Sequence, residues 1–589
     1  MSERWRRLAS PWCAVALGVL LVLPSLAGGL AVDDHIHRVA VHGHEAFPGT
    51  PRSVFDLFGF LDGNEETTRA LNNRILGLWM VQDDIRVAFL RPLSSLTHAF
   101  DHLVWPDHPW AMHLQNIAWY ALLVWAAGVA LRRMLGAGAA AVVALLLFAI
   151  DDNHGMPVGW ISNRNTLIAS VFGVMALVAY DKARRDDWRP GVWAAPLCFA
   201  LALLSAEAGV AAGGYIVAHA LFMSRDSWQA RVRSLVPFAL VAAAWRVAYA
   251  ALGRGASGTD LYIDPAANPL AFAQAIVAHL PILLLGQFLP VPAEIWAGLS
   301  SAGQAWLAVI GGAAVTAIGL LVWPLIRSDA RTRFWIVGAL LAAIPACATF
   351  PNDRLLVLTG IGGAVLVAQV LTAVWTSGAG WFGPSRSRPV LVLAVAWTLT
   401  HAVIAPVLLP ARSLVFMFLE RTIAGASDSL PTDQVFTSQQ LVIVNAPDPF
   451  LSVYALVRRA SLAGPVPASV RVLSMTDAAV AVTRADARTL ILDLESGMMR
   501  RPVDVMLRSR NLRFRVGDVV ALEGFTAEIL AVDSDGPRQV RFRFARSLDD
   551  PALRWVAWRG RRYESFALPL VGETVRVANR GEPLAAFRD

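Results

Sequence analysis

The chain has 589 residues, 56% of them apolar and only 16% charged, with a mean hydropathy of +0.51. Soluble domains run nearer ~45–50% apolar and ~25% charged, so the composition points to a membrane protein and excludes a disordered chain, a disulfide scaffold and a fibrous repeat. The formal charge of +7 and the pI of about 9.8 would suit nucleic acid, unless the basic residues serve to orient spans.

Apolar stretches of about 17–25 residues mark spanning helices. They occur at 11–31, 111–131, 136–150, 161–180, 191–206, 207–223, 234–252, 303–326, 334–350, 355–375 and 389–409. The first resembles a signal peptide; because further spans follow it, it reads as an uncleaved anchor. Basic residues fall on alternate loops: Arg4, Arg6 and Arg7; Arg132 and Arg133; Lys182, Arg184, Arg185 and Arg189; Arg225, Arg231 and Arg233; Arg327, Arg331 and Arg333; Arg386 and Arg388. The intervening loops hold few, Arg254 and Arg354 being exceptions. By the positive-inside rule the N-terminus is cytoplasmic. The basic charge is thereby accounted for as topology, and no nucleic-acid partner is expected.

A twelfth apolar segment, 269–289, contains His279 and Pro281 and runs into Leu289-Pro290-Val291-Pro292. If it crossed, Arg327 to Arg333 would face outward. It is therefore expected to be re-entrant or to lie on the outer surface. This leaves about eleven spans in an inner (plasma) membrane protein. The expected fold is a mainly α polytopic bundle over residues 1–410. It includes a first outer loop at 32–110 and another at 253–302. An extracytoplasmic α+β domain, mostly β, follows at 411–589. There the LVIVNAP stretch from Leu441 reads as a buried strand and 449–463 as a helix. Val540, Phe542 and Phe544 alternate with Arg541 and Arg543 after Asp533-Ser534-Asp535-Gly536, so 524–546 reads as a hairpin. The three cysteines, Cys13, Cys198 and Cys347, lie in apolar stretches, which argues against disulfides.

The polar residues near the outer face are the candidates for chemistry. Asp33 and Asp34 follow the first span. One can act as general base on an acceptor hydroxyl while the other orients it or holds a metal; the plain alternative is a solvated helix end. His35, His37, His42, His44 and Glu45 form a dense group. A divalent metal there stays open as a cofactor, although the spacing matches no closed zinc site. Arg86 and Arg91 can grip a phosphate bidentately, or merely neutralise Asp83, Asp84 and lipid headgroups. The loop Asp151-Asp152-Asn153-His154 and the residues Arg164, Glu207 and Arg246 put polar groups in or beside apolar helices. Such groups are functional sites or internal ion pairs, because a charge left in lipid costs at least ~2.5 kcal/mol. Arg354 adds an outer arginine at a helix start.

Three passages give this pattern a family likeness. They are Asp33-Asp34; FLRPLSSLTHAFDHLVWPDHPWAMHLQNIAWYALL from Phe89 to Leu123, with His113 and Asn116; and DDNHGMPVGWISNRNTLIASVF from Asp151 to Phe172. LLSAEAGVAAGGYIVAHALF, from Leu203 to Phe222, adds a segment similar to S-K-E-x-G. The chain resembles the GT-C superfamily of polytopic membrane glycosyltransferases over roughly residues 10–410. Within it, the chain looks like the membrane part of the tetratricopeptide-repeat O-mannosyltransferases and their bacterial relatives. The resemblance implies a polyprenyl-phosphate sugar as donor, membrane lipid around it, and an acceptor glycan, lipid or protein. It implies a catalytic role for Asp33 or Asp34. It makes Arg86, Arg91, Arg164 and Arg354 candidates for the donor phosphate, with His35, His113, His154 and Glu207 as further site candidates. The departures are Ala206 where the motif has Lys, Met156 where it has Glu, and a β-rich domain in place of the repeats. The competing classes are a transporter of lipid-linked substrates without chemistry, for which paired broken helices in two matching halves would speak, and a membrane-anchored assembly factor.

Overall fold

The computed structural model describes residues 11–578, so Arg4, Arg6 and Arg7 lie outside the described residues. The chain forms two compact units. The first comprises Met1–Gly29, Phe89–Gly253 and Ile263–Phe416; the second comprises Leu30–Ala88, Arg254–Tyr262 and Met417–Asp589. The boundary expected at 410/411 thus falls at 416/417. Most of the first outer loop is built with the C-terminal region instead of with the bundle.

The first unit is an all-helical bundle. Among the described residues, eight helices are long and apolar enough to cross a membrane. Ala139–Ala149 and Asp152–Gly159 form a further pair bent by 41°, and Pro11–Ala27, Gly191–Ser205 and Glu207–Phe222 are shorter apolar helices. With these, and with Pro269–Phe288 set aside, the segments are those read from the sequence. The helix Val357–Ser377 runs through the core, and 83% of its apolar window is buried. Trp228–Ala251 and Ser301–Ser328 are also strongly apolar but only 11% and 17% buried, leaving Leu240, Val247, Trp306 and Leu320 more than half exposed. Such outward faces are stable only against hydrocarbon, which makes the unit a multi-pass membrane bundle.

The bundle's two ends differ in charge. At one end Arg133 bonds Asp181 and Asp186, both at 2.8 Å, and His219 meets Asp181 at 2.9 Å. Arg331 there donates to the Leu135 carbonyl, and Arg184 pairs with Asp226. The helix Arg164–Arg185 carries the chain from this end to the other over about 33 Å. At the far end lie Asp101, Arg164 and Asn116.

The segment 269–289 forms one regular helix, Pro269–Phe288. Its approach and its midpoint are tied to the same spot: the Ile263 N–H donates to the Ala348 carbonyl at 2.8 Å, and His279 Nδ1 lies 3.1 Å from the Cys347 carbonyl. Just beyond its C-terminus the Ala293 N–H donates to Asp353 at 3.0 Å. The helix is thus tied at its approach, its midpoint and just past its end to the segment 347–353, while its last residue reaches Trp397, whose indole N–H donates to the Phe288 carbonyl at 3.0 Å.

The second unit is α+β and mostly β. A small antiparallel sheet joins β1 (Gly59–Asp62), β2 (Arg86–Ala88) and β3 (Gly255–Ser257). β4 (Gln440–Ile443) lies parallel to both β5 (Ser469–Val472) and β11 (Leu553–Arg559), and β12 (Arg562–Ser565) closes that sheet. The six-stranded antiparallel sheet has the order β13 (Thr574–Val577), β6 (Val480–Arg484), β7 (Thr489–Leu494), β10 (Gly536–Phe544), β9 (Phe525–Asp533), β8 (Val519–Leu522). β9 and β10 are the expected hairpin. Val540, Phe542 and Phe544 bury their side chains at 0–2% exposure while Arg541 and Arg543 face outward, as period two requires. The expected helix after β4 is a π-turn at Phe450–Tyr454 continued by Ala455–Ser461. The loop 30–88 joins this fold through Trp79, which is buried against Phe514 and Phe542 and donates its indole N–H to the Leu473 carbonyl at 3.0 Å.

Cysteines introduced as Ala266→Cys and Ser300→Cys, flanking the Pro269–Phe288 helix, are expected to react alike with an impermeant thiol reagent added outside intact cells. Opposite accessibility of the two would show that the helix crosses.

Candidate functional site

In the bundle unit the strongest polar centre is Arg412, which the sequence reading did not single out. Its guanidinium meets Asp152 at 2.7 Å, Glu294 at 2.7 Å and Asp353 at 2.8 Å. Three stretches that share no local sequence are thereby joined. The approach is made possible by glycine. Gly155 and Gly159 lie one turn apart on a short helix against Ala405–Ser413, and a Cβ at Gly159 would sit 1.9 Å from the Ser413 carbonyl oxygen. This is small-residue packing bringing two backbones together. Its signal was faint: Arg412 stands just past the last apolar stretch, and Glu294 lies alone in a loop.

Arg164 is fully buried. Its guanidinium bonds Asp101, Asn116, Gln115, the Met112 carbonyl at 2.9 Å and the Thr97 carbonyl at 3.3 Å. It cross-links the helices Pro92–Val104, Pro109–Met134 and Arg164–Arg185. This corrects its reading as a donor-phosphate residue, since its donors are spent on protein groups. Arg91 and Glu207 pair with each other at 2.7 Å. His113 is buried with Nε2 3.2 Å from the Gly29 carbonyl. His154 is buried against the rings of Phe148 and Tyr120, a core position. Arg246 pairs with Asp264 at 3.1 Å.

Arg354 is different. Its guanidinium has no carboxylate partner among the described residues and lies over the Trp160 ring at 5.2 Å, while its Nε is buried without a hydrogen-bond partner. Trp160 in turn stacks on Phe416 at 4.2 Å. A partly buried, unneutralised guanidinium on an aromatic face is suited to an anion.

In the second unit Asp33 and Asp34 begin the helix Asp33–His42. The turn before it holds Val32 at φ 51°, a left-handed conformation that costs a β-branched residue on the order of 1–3 kcal/mol. Asp34 is 1% exposed, and its Oδ2 accepts the Ala31 N–H at 2.9 Å. Asp33 is half-buried, and its Oδ1 accepts the Tyr454 hydroxyl at 2.6 Å. The two acids are thus separated in role: Asp34 stabilises the turn, and Asp33 is the more exposed carboxylate. His35 is buried, with Nδ1 2.7 Å from the Ser461 hydroxyl and Nε2 3.1 Å from Glu420, which also accepts from Arg458. It ties elements together. Arg86 donates from Nε to the Asp62 carbonyl at 3.2 Å. Burial lowers the pKa of His44 from its ordinary value. Among the described residues no group of three or more His, Cys, Asp or Glu is arranged to hold a metal ion, and no step is routed through one.

Over 203 residues the chain is 26% identical to Protein O-mannosyl-transferase TMTC2 of Mus musculus, a match covering 33% of this chain and 22% of the relative. Protein O-mannosyl-transferase TMTC3 of Mus musculus is 29% identical over 139 residues, 23% of this chain and 15% of the relative. The matches therefore span at most about a fifth of the length of these curated relatives. No family model matches the chain. Among solved structures, ArnT from Cupriavidus metallidurans bound to undecaprenyl phosphate overlaps 77% of this chain and 84% of its own, with a TM-score of 0.39 and 13% identity. The Archaeoglobus fulgidus oligosaccharyltransferase tethered with an acceptor peptide overlaps 76% and 63%, with a TM-score of 0.35 and 13% identity.

Removing Arg412 as Arg412→Met strands three carboxylates and is expected to cost about 3–5 kcal/mol, the penalty for breaking a buried ion pair from one side. Gly159→Ala is expected to destabilise likewise by forcing the helices apart. Arg354→Met is expected to stay within about 0.5 kcal/mol of the parent, as for a side chain outside a structural network. Thermal unfolding in detergent reads all three.

Proposed function

We propose that this chain is a membrane glycosyltransferase that moves a sugar from a polyprenyl-phosphate-linked donor to an acceptor glycan, lipid or protein on the extracytoplasmic face. The observation that carries the reading is the sequence match to protein O-mannosyl-transferases in a chain whose acidic pair after span one resolves into one structural and one more exposed carboxylate. The positive-charge bias along the loops supports a cytoplasmic N-terminus and an extracytoplasmic C-terminal domain.

The chemistry requires two services. A sugar phosphate leaves as an anion, so cations that meet its charge lower the barrier. Taken unit by unit, Arg354 is the bundle's candidate, because its guanidinium has no carboxylate partner among the described residues, and Arg86 is the second unit's; Arg91 could serve only by exchanging Glu207 for phosphate. The acceptor hydroxyl must lose its proton as it attacks. Asp33 is assigned as the base, a carboxylate that gains the proton while the new glycosidic bond forms and the carbon–oxygen bond to phosphate breaks. Direct attack inverts the anomeric carbon and needs no covalent enzyme intermediate. Apolar helix faces suit the polyprenyl tail.

Membranes given labelled polyprenyl-phosphate sugar test the reading. Asp33→Asn is expected to lower transfer about 10²–10⁴-fold, the usual contribution of a general base, at near-normal protein level. Asp34→Asn is expected to lower the amount of folded protein, and Arg354→Ala to raise the donor KM about tenfold, the loss of one charge-assisted hydrogen bond. Undiminished transfer by Asp33→Asn would remove the base assignment. Absence of transfer by the parent with every donor would return the chain to the lipid-linked transport reading.

A further inference from the structure

Within the second unit, the partner of Asp33 comes from the far end of the chain, 421 residues away. The geometry points to Tyr454 as the positioning residue for the Asp33 carboxylate, so that the C-terminal region completes the catalytic apparatus; this rests on the glycosyl-transfer reading given above.

Four observations carry it. The Tyr454 hydroxyl donates to Asp33 Oδ1 at 2.6 Å, the short distance of a charge-assisted hydrogen bond. Tyr454 closes the π-turn Phe450–Tyr454, and its ring stacks on Phe450 at 5.4 Å with an interplanar angle of 22°, which fixes where the hydroxyl points. π-turns are uncommon and frequently occur at functional sites. The same helix start is fastened a second time two residues on, where His35 spans Ser461 and Glu420 and Arg458 holds Glu420 at 2.8 Å. On the other side of Asp33, Val32 is held in a strained left-handed conformation and Asp34 is committed to the Ala31 N–H. A helix start that only needed capping would require neither the strain nor a tyrosine from so distant a segment.

The Tyr454 hydroxyl is suited to remain a donor. Burial, the Asp33 charge and Tyr262 hold its pKa well above the usual tyrosine value. It therefore presents a proton across the physiological range and does not compete to be the base. Its bond to Oδ1 restricts rotation of the Asp33 carboxylate. Positioning of this kind affects turnover more than binding.

Tyr454→Phe removes only the hydroxyl. The expected result is about a tenfold loss of kcat with the donor KM unchanged. The acid limb of the rate profile should move about one unit higher in pH, because a hydrogen bond donated to a carboxylate favours its charged form. A readout independent of turnover is carbodiimide labelling of Asp33 at fixed mildly acidic pH, followed by mass spectrometry; Tyr454→Phe should raise its rate several-fold. Tyr563→Phe is the control, since that hydroxyl is buried in the same unit but donates to the Leu451 carbonyl at 2.8 Å; it should leave Asp33 labelling at the parent rate. Should Tyr454→Phe fail to fold, Phe450→Leu, which loosens the stacked ring, is expected to raise labelling in the same direction. Unchanged labelling and an unchanged rate profile in Tyr454→Phe would overturn the proposal. Raised labelling in a protein that transfers no sugar would keep the Tyr454–Asp33 coupling and remove the glycosyl-transfer reading instead.

Discussion

A charge placed among apolar helices has to be neutralised where it stands, and the bundle is organised by that requirement. Arg412 answers it by drawing Asp152, Glu294 and Asp353 to one guanidinium. Arg164 answers it with Asp101 and a ring of amide and carbonyl oxygens. Each cation fixes helices that are otherwise free to slide, because hydrophobic contact in lipid has little directional preference. The glycines at 155 and 159 are the sequence's contribution to the first of these centres, since any side chain at Gly159 would hold the Ala405–Ser413 helix away.

Most of the arginines that stand out in the sequence are engaged with protein groups. Arg164 is spent on helix packing, Arg91 on Glu207 and Arg246 on Asp264. Two stand apart among the described residues: Arg354, whose guanidinium rests on Trp160 with no carboxylate partner, and Arg86, which donates to the Asp62 carbonyl. A cation left unneutralised at some energetic cost is a stronger sign of an anionic ligand than a cation that is merely present.

The second unit shows a different logic. Its strands are supplied by three separated stretches of chain, and Trp79 from the first of them is buried in a core made by the last. The strand pattern was legible: Val540, Phe542 and Phe544 alternate with arginines, and they face inward as alternation demands. The membership of residues 30–88 was not legible. Nothing local in that loop announces a partner several hundred residues on, because strand and aromatic contacts of this kind depend on chain closure and leave no period in the sequence.

The sequence by itself determined the class of the protein, its apolar segments, the orientation bias, the β-rich C-terminal region and the neighbourhood of Asp33 and Asp34. These follow from composition, run length and periodicity, all local properties of the chain. Only the tertiary structure decided which acid of the pair is committed to the backbone and which to Tyr454, which arginines are already neutralised, and that Arg412 is a centre at all. The physical reason is that the state of a charge is set by what lies within about 4 Å of it, and in this chain those neighbours come from segments far apart in sequence.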